Sequence, residues 1–163
     1  MIKQINLIGN EQLRKKARQC NSVLAESGFQ FNWDSETKEW ATHLIETALV
    51  HPEAVGLACS QIWDQDTDPL SMFVVKTGHN QWKLYINPSI EPSGKKIPVN
   101  ESCLSESKKV IKVKRRSNVT ITYSDLDQTS PKTDKYYLAV TPMPIIIQHE
   151  YDHLQGICLS DKR

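Results

Sequence analysis

The chain has 163 residues, with 20 lysines and arginines against 19 aspartates and glutamates and a formal net charge of +1. That length sets a single domain, 1–163, with enough chain to bury a core, and the balanced charge gives no reason to expect direct nucleic acid or an anionic membrane as a partner. No apolar run reaches the about 18 residues of a membrane span, no apolar leader follows Met1, and four cysteines without close pairing (Cys20, Cys59, Cys103, Cys158) do not read as a disulfide framework, so the expected compartment is the cytoplasm.

In chain order, a basic cluster comes first: Arg14, Lys15, Lys16 and Arg18 are expected on a solvated surface turn. Asp34 or Ser35 is placed to cap a helix in which Trp40, Ala41, Leu44, Ile45, Ala48 and Leu49 recur at three- and four-residue steps. That spacing is the stripe of an amphipathic helix, and Pro52 ends it. His43 and His51, on and just after it, read as surface histidines. Residues 54–61 (AVGLACSQ) alternate small side chains, which allows close approach of backbone or ligand in a tightly packed loop. Gln61, at its end, can donate a side-chain N–H to a carbonyl oxygen.

The middle of the chain is β-rich. After a polar loop over 64–69, strands are expected at 72–75, at 83–86 (closed by Asn87 and Pro88), at 110–113, at 119–123 and at 136–140, with a hairpin turn over 125–133. The basic run 108–116 alternates with Val110, Ile111 and Val113, the pattern of a strand with one solvated charged face. Between strands, residues 101–105 (ESCLS) hold Cys103 in a loop near an acidic residue, either as a buried apolar thiol or as a metal ligand. The resulting class is α+β: mostly antiparallel sheets packed around a C-terminal metal-binding helix, with an amphipathic helix near the N-terminus.

The stretch with the most chemistry is Gln148-His149-Glu150-Tyr151-Asp152-His153, which contains His-Glu-x-x-His. Histidines at i and i+4 lie on one face of a helix, one turn apart, where both imidazoles can reach one metal ion; the intervening Glu can take a proton from a water held there. Thr141 is placed as N-cap, Pro142 as the first helical residue and Gly156 just past the end, while Ile145, Ile146 and Ile147 supply apolar surface. A catalytic site of this kind needs a third protein ligand and an open position. Cys158 and Asp161 fit poorly on a continued helix, so the third ligand is expected upstream, among Cys20, Cys59, Cys103, His43, His51, His79 or a carboxylate.

Three blocks stand in one order: residues 54–61, residues 101–105 and residues 148–156. That order resembles the three motifs of the peptide deformylases, usually written GxGxAAxQ, EGCLS and QHExDHLxG. Gln148-His149-Glu150-Tyr151-Asp152-His153-Leu154-Gln155-Gly156 matches the third completely, and Leu13-Arg14 with Ala17 is similar to the family's N-terminal segment. The chain departs from the pattern at Ala54 and Ser102, where glycines are usual, at Cys59, where the second alanine is usual, and at Glu106-Ser107, where a proline usually follows shortly. The chain stops soon after Gly156, so the resemblance is to a short form without the family's C-terminal helix, of the sort carried by some phages.

The resemblance implies a metal-dependent hydrolase that removes the N-formyl group from the formylmethionine of nascent peptides and releases formate. By the same likeness Cys103, His149 and His153 bind one divalent metal ion, usually Fe²⁺, with Zn²⁺, Ni²⁺ or Co²⁺ able to occupy the site. Glu150 would act as general base and then acid, while the side chain of Gln61 and the backbone N–H of Leu104 would stabilise the developing oxyanion. Val55 would lie against the peptide, Gly56 would be a backbone partner, and the methionine pocket would be apolar and formed partly by the His149 helix. The implied partners are N-formylmethionyl peptides and ribosome-associated nascent chains, met by a monomer with no direct nucleic acid and no membrane. Two other readings share the ligand set: a peptidase cutting an internal or N-terminal bond, and a non-catalytic, metal-stabilised binding protein. The pairing of Gln61 with Cys103 and Leu104 weighs against the first, and the intact Glu150 against the second.

Overall fold

The computed structural model describes residues 1–28, 30–106, 109–127 and 129–162. Lys108, at the start of the basic run, and Gln128, inside the expected 125–133 turn, lie outside the described residues. Two helices and antiparallel sheets make the chain α+β.

Helix α1 (Ser35–Leu49) begins where the Asp34 side chain accepts a hydrogen bond from the Thr37 N–H at 2.8 Å. Trp40, Ala41, Leu44 and Ala48 are buried on one side of it, in a core shared with Leu57, Trp63 and Met72. The Trp40 and Trp63 rings lie 4.1 Å apart, centre to centre. Leu49 is 46% exposed and so falls outside that stripe. His43 is not a surface histidine: it is buried edge-on to Trp40, and its Nδ1 lies 2.9 Å from the N-terminal ammonium.

A short hairpin, β1 (Ser22–Leu24) and β2 (Phe31–Trp33), precedes α1. The main sheet is an antiparallel meander in chain order: β3 (Gly56–Ala58), β4 (Met72–Gly78), β5 (Gln81–Glu101), β6 (Ile111–Ser124) and β7 (Lys132–Tyr137). It differs from the sequence expectation in four places. Part of the 54–61 segment is a strand and not a loop, because residues 56–58 pair with Val75, Val74 and Phe73. β5 continues through Asn87-Pro88, where the chain bulges instead of stopping: Asn87 adopts a left-handed φ of 49° and the register shifts between Ile86 and Ser89. Past that bulge β5 pairs only with β6, so Pro92 and Pro98, which have no N–H, sit on a strand with one unpaired edge. The two expected strands 110–113 and 119–123 are one strand, β6, since the polar stretch between them still finds partners on β5. β7 starts at Lys132, four residues earlier than the apolar signal begins, because 132–135 pair with Tyr123, Thr122, Ile121 and Thr120 of β6, and it stops at Tyr137, with 138–140 in a turn.

Helix α2 (Met143–Leu154) starts one residue later than expected, with Pro142 at its N-cap and Thr141 Oγ1 accepting from the Met143 N–H at 3.3 Å. Met143, Ile147 and Leu154 pack on Phe73, Tyr85 and Ile121 of the sheet. Just past the helix end stands Gly156, whose φ of 73° is left-handed. The preceding turn docks on the N-terminal segment, where the Ala17 N–H donates to the Leu154 carbonyl at 2.9 Å. A Cβ at Gly156 would lie 2.4 Å from the Arg14 carbonyl oxygen, so any side chain there must displace backbone. Gly156→Ala is therefore expected to lower stability by roughly 2 kcal/mol or more, the left-handed penalty plus the clash. Urea unfolding would measure it, and a change within about 0.5 kcal/mol would contradict the packing described.

Candidate active site

Gln61 enters the site through local backbone chemistry. It is the third residue of a 3-10 turn (Cys59–Gln61), and its Oε1 accepts from the Ala58 N–H at 2.9 Å. With its oxygen engaged, the amide nitrogen points the other way, donating to Ser105 Oγ at 3.1 Å and to Cys103 Sγ at 3.5 Å. Cys103 stands just before another 3-10 turn (Leu104–Glu106), between β5 and β6. Its Sγ lies 3.3 Å from His153 Nε2.

The i, i+4 spacing on α2 brings the rings of His149 and His153 to 5.1 Å, centre to centre. One donor atom from each of Cys103, His149 and His153 lies within 4.8 Å of the other two, and all are partly or fully buried. Among the described residues this is the group of three that could hold a metal ion. Thiolate and two imidazoles are a ligand set that suits a divalent transition ion. The other candidates for a third ligand stay out of this group: Cys20 and Cys59 are in the α1 core, His43 faces the N-terminus, His79 is exposed, and His51, which lines the same cavity, bonds Glu53 at 3.3 Å.

His149 is held from behind. Its Nδ1 lies 2.8 Å from Glu101 Oε2, and Glu101 in turn accepts from Arg115 Nε at 2.7 Å and Nη2 at 2.9 Å. Burial alone would raise the Glu101 carboxyl, but the bonds from Arg115 and His149 overcome it and hold the group at about 2. An ionised Glu101 can only accept, so His149 Nδ1 carries a proton and Nε2 is the nitrogen turned to the site. Burial alone would lower this imidazole, but its contacts with Cys103 and Glu101 hold it well above its ordinary value, so Nε2 gives up a proton when it ligates. The remaining Arg115 nitrogen bonds Asp152 on α2. Arg115 thus corrects the reading of the basic run as a solvated face: it is 3% exposed and lies inside the protein. Its signal was present, since Arg115 is in phase with the apolar Ile111 and Val113. Gln148 adds a second tie, accepting from the Arg116 N–H at 3.0 Å and donating to the Arg116 carbonyl at 2.8 Å.

Glu150 lies between the histidines on α2, fully enclosed, and its Oε2 has no hydrogen-bond partner among the described residues. Burial pushes this carboxyl up to about 7. Burial also pushes the His153 imidazole well below its ordinary value, toward the neutral form that can ligate. Gly56 makes room for Glu150: a Cβ there would lie 2.3 Å from Glu150 Oε1.

A cavity of about 730 Å³ opens on these groups. Gln61, Cys103, Leu104, His149 and Glu150 line it, as do Val55 and Gly56. His153 is set behind that lining, 1% exposed, and joins the group through Cys103. Ile145 and Ile146 of α2 add apolar wall. Of the departures from the motif, Ala54 and Ser102 line the cavity, whereas Cys59 is buried in the α1 core. Glu101, Arg115, Asp152 and Ser105 complete the site and carried no assigned role from sequence.

A model of the family described as polypeptide deformylase matches residues 2–163. A peptide deformylase of Dictyoglomus thermophilum is 32% identical over 163 residues, covering 99% of this chain and 93% of its own. That of Pseudothermotoga lettingae is 30% identical, covering 99% of this chain and 82% of its own. Among solved structures, a probable peptide deformylase from synechococcus phage S-SSM7 superposes with a TM-score of 0.79 at 25% identity, covering 99% of both chains. The peptide deformylase of Thermotoga maritima has the same fold, with a TM-score of 0.79 at 24% identity over 99% of this chain and 97% of its own. The chain belongs to the peptide deformylase family and is an enzyme of that type.

Proposed function

We propose that this chain, working as one catalytic unit over residues 1–163, hydrolyses the formamide bond of N-formylmethionyl peptides, with one divalent metal ion held by Cys103, His149 and His153. The observation that carries the reading is the convergence of those three donors, within 4.8 Å of one another, beside the buried carboxylate of Glu150 with its unpartnered Oε2. Fe²⁺ is the proposed native ion, with Zn²⁺, Ni²⁺ or Co²⁺ as substitutes. When bound, the ion supplies Lewis acidity, polarising a carbonyl oxygen and lowering the pKa of water.

The chain's own groups do the rest. Glu150 takes the proton of the attacking water at Oε2 and returns it to the amine that leaves. Water adds to the formyl carbon, the C–N bond breaks, and formate and a free N-terminal methionine result. Gln61 Nε2 and the Leu104 N–H are the donors proposed for the formyl oxygen as it gains charge. The Ala58 bond that fixes Gln61 supports this, because a donor oriented beforehand costs no reorganisation when charge develops. Val55 and Gly56 are the proposed contacts for the extended peptide, and Ile145 and Ile146 the apolar wall for the methionine side chain. Formylated nascent chains arise where translation occurs, which supports a cytoplasmic enzyme.

The first test is formate release from a formyl-methionyl tripeptide by protein loaded with Fe²⁺, Ni²⁺ or Zn²⁺. Glu150→Ala is expected to keep its metal and lose at least about 100-fold in rate. Near-normal turnover in that variant would remove Glu150 from the mechanism. Cys103→Ser is expected to lose metal on dialysis, read by elemental analysis; full retention would assign the third ligand elsewhere. Gly56→Ala forces Glu150 to move, and a displacement near 1 Å is expected to lower kcat about 100-fold while metal content stays unchanged. An unaltered kcat would show that the carboxylate has slack the packing denies it.

A further inference from the structure

The far half of the β5–β6 ribbon has two unlike faces. Inward, Val99 and Val113 form a pair, Ile111 and Val113 pack with Cys103 and Leu159, and Glu101 meets Arg115. Outward, Lys112, Lys114 and Arg116 are all exposed, at alternate positions of β6 and so about 6.8 Å apart, twice the strand rise. Across the ladder Lys96 pairs with Arg116, Pro98 with Lys114 and Asn100 with Lys112. Lys95 stands exposed at the adjacent bulge. Read from sequence alone, the run 108–116 is a strand with one solvated face; folding brings two more lysines from the neighbouring strand beside it.

Among the described residues, none of the four lysines takes part in an ion pair, and Arg116 is satisfied by a carbonyl, donating from Nη1 to Gly94 at 2.9 Å. The acidic residue within this part of the ribbon, Glu101, points inward to Arg115. The whole chain carries only +1, so five cations on one ribbon leave the rest of the surface net acidic. The ribbon's root is at the cavity mouth, since Asn100 lines the cavity and pairs with Lys112.

We propose that the outer face of this ribbon, Lys95, Lys96, Lys112, Lys114 and Arg116, docks the phosphate backbone of RNA. Cations repeating along a rigid strand suit a partner whose charge also repeats, and nucleic acid does so every few Å. A membrane surface fits less well: the residues between the cations are Pro98 and Asn100, and the exposed apolar side chain nearby in the chain, Val110, precedes β6 and is a single small one. A single acidic peptide would engage one or two of the cations and leave the others unused. Docking here would hold the cavity mouth beside RNA, and the proposed substrate is a peptide made on RNA. The ribbon's charge and spacing carry the inference without the reading of the cavity.

The test is equilibrium binding of the full chain to a fluorescently labelled RNA hairpin over a range of KCl concentrations. Affinity is expected to fall log-linearly with salt, with a slope of about −4 for five cations. K112Q/K114Q is expected to weaken binding and to reduce the slope by about 2, whereas K38Q on the exposed side of α1 leaves both unchanged. Formate release from a tripeptide is expected to match the parent in both variants, which shows that they are folded and keeps the two readings separate. The proposal is overturned if the parent does not bind the hairpin at low salt, or if K112Q/K114Q binds as the parent does. It is equally overturned if phosphatidylserine vesicles or polyglutamate displace the protein from RNA at lower charge concentration than RNA itself does.

Discussion

A guanidinium cannot be buried unpaired, and much of this structure follows from where Arg115 is put. The side chain is 3% exposed, and its three nitrogens are shared between Glu101 on β5 and Asp152 on α2. Breaking such a buried pair from one side typically costs about 3–5 kcal/mol, because it leaves an uncompensated charge in low dielectric. The same constraint fixes chemistry as well as fold. Glu101, kept ionised by Arg115, orients His149 and determines which of its nitrogens faces the site. β5, β6 and α2 thereby meet at one charge cluster directly behind the proposed ligands.

Glu150 shows the opposite treatment of a carboxylate. Glu101 is held low by two donors, whereas Glu150 is enclosed with one oxygen unpartnered and is pushed up to about 7. Two carboxylates close to His149 are thus set at different proton affinities by their surroundings, the arrangement that lets one be structural and the other exchange a proton near neutrality. Gly56 is part of that arrangement, because a Cβ on β3 at that point would run into the Glu150 side chain. Gln61 is prepared in the same manner: a backbone N–H holds its oxygen, leaving the nitrogen to serve the site.

Much of the architecture was legible from local pattern. The α1 stripe from Trp40 to Ala48, the cap at Asp34, and the short apolar runs of β4 and of the first part of β5 all appear where periodicity puts them. The extent of β5 and β6 did not. Asn87-Pro88 is ordinarily a stop signal, and residues 114–118 have no apolar alternation, yet both lie inside strands. What keeps them there is non-local: each strand is the other's hydrogen-bond partner over a dozen paired positions, and a free edge tolerates proline. The first four residues of β7 are polar and are likewise recruited by pairing with β6.

By itself the sequence determined the chemical types and the two spacings that matter most. Histidines four apart share a helix face, and three ordered blocks identify the family, because helical period and motif order are properties of the chain. Only the tertiary structure decided which of six cysteines and histidines joins those two, since the Cys103–His153 approach spans 50 residues of intervening chain. It also decided that Arg115 is buried while Lys112, Lys114 and Arg116 are exposed beside Lys96. A strand's alternation divides its residues between two faces, but which face meets the core, and what the neighbouring strand adds to the other, depends on register.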